Sequence, residues 1–202
     1  MVKDVFKDPY KVRDLVQLVP VHKECLLGFP GYRAALRFSW GDFPNFLAYL
    51  LHEYFSYQAS GVFFHTNVIV PQEKIKKRSI VPHVDDMKFG FSVWLNTPDE
   101  INQYPGTAFY KNKELNTCIM DCENEEKYEQ YLNKYYTTWG DDNEMIDFDS
   151  TIIDKNIWDP YFISEMRFNS MVFYSGTLFH QPFIKPYFFP NTERISLSGV
   201  AK

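Results

Sequence analysis

The segment GVFFHTNVIV, Gly61–Val70, is β-branched and aromatic along nearly its whole length and stops at Pro71. Side chains of that kind fit a pleated, half-buried surface, and proline closes such a run. The same texture returns in the apolar end of SIVPHVDDMKFGFSVWLN (Ser79–Asn96) and in GTAFY (Gly106–Tyr110). It comes back in YFISEMRF (Tyr161–Phe168), SMVFYS (Ser170–Ser175) and RISLSGV (Arg194–Val200). Aromatics make up 18% of the chain, with 19 Phe and 14 Tyr, which favours wide pleated surfaces over a helical bundle. Short strands with helices mainly at their flanks predict a mainly β chain with an antiparallel core.

The length of 202 residues fits one domain with a substantial core. Pro20, Gly28, Pro30 and Gly31 break the first 40 residues into extended segments and turns. A helix then starts at Asp42-Phe43-Pro44, with Asp42 as cap, and Phe46, Leu47, Leu50, Leu51, Tyr54 and Phe55 recur at helical spacing. Strands are expected over 61–110 and 159–202, with EKIKKRS (Glu73–Ser79) as a solvated loop. Between them, Lys111–Trp158 is acidic and rich in Tyr and Asn, with a helix around Glu123–Tyr136. It reads as an insertion, either a lid over a site or a solvated decoration.

Several function classes drop out. The net charge of −5 comes without a Lys/Arg stripe, so no nucleic-acid partner is expected. Cys25, Cys118 and Cys122 are too few for a disulfide framework, and no second thiol pair completes a zinc site with Cys118 and Cys122. MVKDVFKDPYKVRDLV lacks the apolar core of a signal peptide, and no apolar run approaches the roughly 20 residues that span a bilayer. A cytoplasmic protein without a membrane partner is the expectation.

Against this background, Pro82-His83-Val84-Asp85 stands at the mouth of a run that wants burial. In an extended chain, positions i and i+2 project to one face. His83 and Asp85 can therefore converge on one ion, while Asp86 should point to the other face. Alone, the pair reads better as a surface turn with a hydrogen-bonded histidine. A facial set of two histidines and one carboxylate needs a second histidine from His22, His52, His65 or His180. His180 follows a strand that ends at Ser175-Gly176 and is preferred over His65. In RISLSGV, Arg194, Ser196 and Ser198 alternate with apolar residues, as they would on a solvent-facing edge strand. The apolar residues before it and Gly199-Val200 after it favour a buried strand, in which Arg194 requires an anion, and no acidic residue is an obvious mate. A ligand carboxylate gripped by the planar guanidinium would answer that need.

The set His83-x-Asp85, His180 and Arg194-x-Ser196 resembles the signature of the iron(II)/2-oxoglutarate-dependent dioxygenase superfamily. GTAFY is similar to a Gly-Gly-Thr-x-Phe element of many members, with Pro105 replacing the first glycine. PHVD, WLN, GTAFY and NSMVFYSGTLFH together resemble a small group loosely like prolyl hydroxylases, over about Phe63–Val200. The resemblance implies a double-stranded β-helix, a cupin-like jelly-roll with Fe(II) held by His83, Asp85 and His180. It implies that Arg194 and Ser196 bind 2-oxoglutarate, that dioxygen is consumed, and that a small-molecule, amino-acid or peptide substrate is hydroxylated. The superfamily's halogenases generally lack the carboxylate, so Asp85 favours hydroxylation. Trp94, Tyr110, Trp139 and Tyr174 are candidates for the pocket wall, although residues of this kind are more often core. Two other classes compete: a non-catalytic jelly-roll binding module, and a cupin-like metalloenzyme that does not use 2-oxoglutarate.

Overall fold

The computed structural model describes residues 1–18, 32–35, 43–58, 62–69, 74–76, 81–85, 87–103, 106–122, 124–135, 145–147, 153–183 and 192–201. In chain order the first elements are β1 (Val2–Lys3), α1 (Pro9–Leu18), β2 (Tyr32–Ala35), α2 (Phe43–Phe55) and β3 (Val62–Ile69). There follow β4 (Lys74–Lys76), β5 (Phe89–Trp94), β6 (Gly106–Asn112), α3 (Glu125–Tyr135) and β7 (Met145–Asp147). The last are β8 (Trp158–Ile163), β9 (Ser170–Ser175), β10 (His180–Phe183) and β11 (Arg194–Ala201).

The fold is mainly β and its sheets are antiparallel. Six strands pair in the order β1-β9-β5-β11-β3-β2, three in the order β10-β6-β8, and β4 pairs with β7. Strand β11 lies between β5 and β3, and its polar face is buried: Arg194 is 3% exposed and Ser196 not at all. The alternation in RISLSGV therefore marks two interior faces and no solvent-facing edge.

Those two faces serve different cores. Ile195 and Leu197 join Phe91, Val93 and Met171 from the sheet, and Val16 of α1 and Leu47 and Leu50 of α2 cover them. On the opposite face Trp94 and Val172 meet Phe109 of the small sheet and Met166, with Tyr174, Leu178 and Phe183 packed against them. The two sheets share this second core. Burial of each large side chain contributes roughly 1.5–3 kcal/mol, so the layered cores are the main stabilising element.

Three local readings change. The N-terminal region holds a helix, α1, where extended chain was expected. Only Val16 on it is fully buried, so its apolar pattern is thin, and packing against the large sheet supplies the stability. Lys74–Lys76 forms β4 where a loop was expected, because it pairs with Met145–Asp147 from the insertion. Strand β8 stops at Ile163, where Ser164 leaves the ladder and bonds Thr107 through both backbone and hydroxyl. The expected caps at Asp42 and the substitution at Pro105 lie outside the described residues.

The insertion's helix occupies a definite place. Tyr131 and Tyr135 of α3 pack with Tyr110, Trp158 and Phe179, on the face of the small sheet opposite Phe109 and His180. The Tyr131 hydroxyl donates to the Pro82 carbonyl at 3.0 Å, fastening α3 to the residue before His83. In its described part, the insertion buttresses a sheet from behind. No helix among the described residues is long and apolar enough to cross a membrane.

Candidate metal centre

His83 and His180 face one another as an isolated antiparallel bridge. The His83 N–H donates to the His180 carbonyl at 2.9 Å, and the His180 N–H returns the bond to His83 at 2.8 Å. This reciprocal pair holds the ring centroids 4.5 Å apart. Two residues on, the Asp85 N–H donates to the Gly176 carbonyl at 2.8 Å, and the Gly176 N–H donates to Lys88 at 2.8 Å. The Ser175-Gly176 turn thereby carries both the chain leading to His180 and the segment bearing Asp85.

The result is one three-residue group. Ligand atoms of His83, Asp85 and His180 all lie within 4.8 Å of one another, and His180 Nε2 is 3.6 Å from Asp85 Oδ2. That spread is close to two metal–ligand bonds of about 2.1 Å. His180 is buried, while His83 and Asp85 are half-buried, so the group lies at an opening rather than within solid core.

The imidazoles are oriented from behind. His83 Nδ1 lies 3.2 Å from the Val81 carbonyl and His180 Nδ1 lies 2.8 Å from the Leu178 carbonyl. A carbonyl only accepts, so each Nδ1 carries the proton, leaving the Nε2 lone pair to coordinate. Each partner is the carbonyl two residues upstream. That signal is invisible in residue identities, because every residue owns a carbonyl.

Gly176 is a further requirement that residue patterns did not reveal. A Cβ there would sit 1.9 Å from the Met87 carbonyl oxygen and 3.3 Å from Asp85 Cβ. Met87 contributes backbone at this contact, so relief demands movement of the 85–88 segment. Gly176→Ala is expected to weaken metal binding by about 10–100-fold, as loss of an outer support typically does. Calorimetric titration with cobalt(II) reads this directly, and unchanged affinity would dismiss the role.

Arg194 belongs to the same interior. Its guanidinium is buried, its Nε has no hydrogen-bond partner, and no described carboxylate pairs with it. Burial pulls its pKa down to about 10, opposed by nearby Tyr174, and it stays cationic at neutral pH. Tyr174 also lies against the His180 ring, tilted with centroids 4.5 Å apart, so one side chain neighbours both the metal-capable group and the Arg194 charge. Gly90 makes room for it: a Cβ there would meet the Tyr174 ring at 2.7 Å. Ser198, on the same face of β11, lies 3.0 Å from Ser92 through the two hydroxyl oxygens.

The comparison with known families is broad in coverage. Residues 1–193 match the model of a family of unknown function (DUF6445). The chain belongs to that family. No curated protein matches it. The matched span includes α1 and α2, so the family unit takes in the helices that cover the large sheet.

The remaining candidates fall elsewhere. His52 projects from α2 with its side chain 75% exposed. His65 lies on β3 opposite Ser198, and His22, Asp86, Cys25 and Trp139 lie outside the described residues. Tyr110 is core behind the small sheet and leaves the list of pocket-wall candidates. Cys118 and Cys122 are not joined in a disulfide, and the Cys122 thiol donates to the Asp85 carbonyl at 3.7 Å.

Proposed function

We propose that this protein is a non-haem iron(II)/2-oxoglutarate-dependent oxygenase, a hydroxylase of a small molecule, amino acid or peptide. The observation that carries this reading is a buried guanidinium, without a carboxylate partner among the described residues, in the same interior as a His-Asp-His group. The group alone fits several divalent ions, and two imidazoles with one carboxylate on one face suit iron(II) with open positions. Arg194 narrows the class, since a buried cation without an internal partner calls for an anionic ligand. The facing six- and three-stranded antiparallel sheets support a double-stranded β-helix arrangement, with the metal group at one open end.

In this reading His83, Asp85 and His180 hold the metal, and the Val81 and Leu178 carbonyls keep both imidazoles in the coordinating tautomer. Arg194 binds the distal carboxylate of 2-oxoglutarate, with Ser196 supporting it. Phe109, Tyr174 and Trp94 keep water away from the pocket's inner wall. When bound, iron and 2-oxoglutarate supply the oxidising power that functionalises an unactivated C–H bond using dioxygen. A metalloenzyme without an oxo acid, or a binding module without turnover, leaves Arg194 with no assigned anion.

The test is an anaerobic titration of the iron(II)-loaded protein with 2-oxoglutarate. A visible charge-transfer band that saturates at one equivalent is expected. Iron binding with no band at millimolar 2-oxoglutarate would rule out the cosubstrate and move the protein to another class of metalloprotein.

A further inference from the structure

We propose that Trp94 is a further donor to the distal carboxylate of the oxo acid, giving its indole N–H beside the Arg194 guanidinium and Ser196; this rests on the function proposed above. Trp94 closes β5 and is completely buried, yet its Nε1 has no hydrogen-bond partner. Buried polar groups are nearly always paired, so an orphaned N–H in a core position points to an acceptor that arrives from outside.

The register puts this donor next to Arg194. Trp94 pairs with Ser196 across the β5–β11 ladder, and Arg194 is two positions along β11 on the same face. Diagonal neighbours of this kind are about 7–8 Å apart at their Cα atoms, within reach of long side chains. Trp94 also shares its core with Tyr174, whose ring lies against that of His180 and which is near enough to Arg194 to act on its charge. Among the described residues the other buried indole without a partner, Trp158, packs among Tyr110, Tyr135 and Phe179 behind the small sheet. Trp94 is thus the orphaned indole that faces the shared core of the two sheets.

Two buried N–H donors on one face, Arg194 Nε and Trp94 Nε1, suit one carboxylate, which has lone pairs for both. An indole donates and never accepts. The pair should therefore select oxo acids that end in a carboxylate over those that end in a methyl group.

The experiment uses the full chain loaded with zinc(II), a diamagnetic substitute for iron, with ¹⁵N-labelled indoles. The chain has 4 Trp, and Trp94→Phe identifies the signal of interest by its disappearance. 2-Oxoglutarate is expected to shift that indole signal, whereas 2-oxobutyrate, which lacks the distal carboxylate, should leave it in place. Trp94→Phe should lower affinity for 2-oxoglutarate by about tenfold or more, the usual effect of losing a hydrogen bond to a charged group. Affinity for 2-oxobutyrate should not change. If Trp94→Phe fails to fold and the signal stays unassigned, the inference is still overturned when none of the 4 indole signals moves in the saturated wild-type protein. Failure of the wild type to bind 2-oxoglutarate overturns this inference and the proposed function together, and binding without a Trp94 response overturns this inference alone.

Discussion

Alanine in place of His180 is expected to abolish stoichiometric metal binding while the sheets persist. The ring is 4% exposed, its Nδ1 is anchored 2.8 Å from Leu178, and its Nε2 is one of three converging ligand atoms. Without it, His83 and Asp85 remain as a two-point site at a half-exposed opening. Loss of an outer-shell support alone typically costs about 10–100-fold in affinity, so removal of a ligand should exceed that. The backbone bonds that pair His83 with His180 involve no side chain and should survive, so circular dichroism should change little. His83→Ala should behave in the same way. One-equivalent iron(II) or cobalt(II) binding retained in both variants would remove the metal centre.

The second large effect is expected at Arg194, and it runs in opposite directions for binding and for stability. Arg194→Met keeps the long apolar stem and removes the charge. Metal affinity should be unchanged, while 2-oxoglutarate affinity should fall by about 30-fold or more, since losing one partner of a buried charged pair costs roughly 2–5 kcal/mol. In the absence of cosubstrate the variant should be as stable as the wild type or more so. Replacing a buried ionic group by a hydrophobe of similar size is often neutral or stabilising by about 1–4 kcal/mol. The linkage has a definite sign. The folded-state pKa is depressed to about 10, so the destabilising contribution is fully present below that value and is relieved as pH rises above it. Thermal melts at neutral pH with and without 2-oxoglutarate measure both halves. A large loss of apo stability in Arg194→Met would mean that the guanidinium is satisfied within the protein, and the anion pocket would have to be given up.

Some of this molecule was legible in residue order. SMVFYS and RISLSGV correspond to β9 and β11 almost residue for residue, because alternation and β-branched content are local properties. The helix that follows Asp42-Phe43-Pro44 was equally plain, since Leu47, Leu50 and Leu51 repeat on one side of α2 and all three are buried. Strand β4 was not legible. Lys74–Lys76 has nothing in its own sequence to make it a strand, and it becomes one by pairing with residues about seventy positions away. Helix α1 was missed for a related reason, because its apolar side is narrow and the sheet beneath it does the stabilising.

The candidate site divides along the same line. Residue types and spacing made His83, Asp85, His180 and Arg194 candidates, and the family resemblance joined them into one set, since metal ligation and carboxylate binding demand particular functional groups wherever the chain goes. Only the folded chain decided which groups meet, because that depends on backbone bonds between segments far apart in sequence. Those contacts join His83 to His180, tie Asp85 to Gly176, set the carbonyls of Val81 and Leu178 behind the rings, and bury Arg194 without a described carboxylate. A side chain's chemistry is written into its own atoms; its neighbours, and so its tautomer and its unmet charge, belong to the packing.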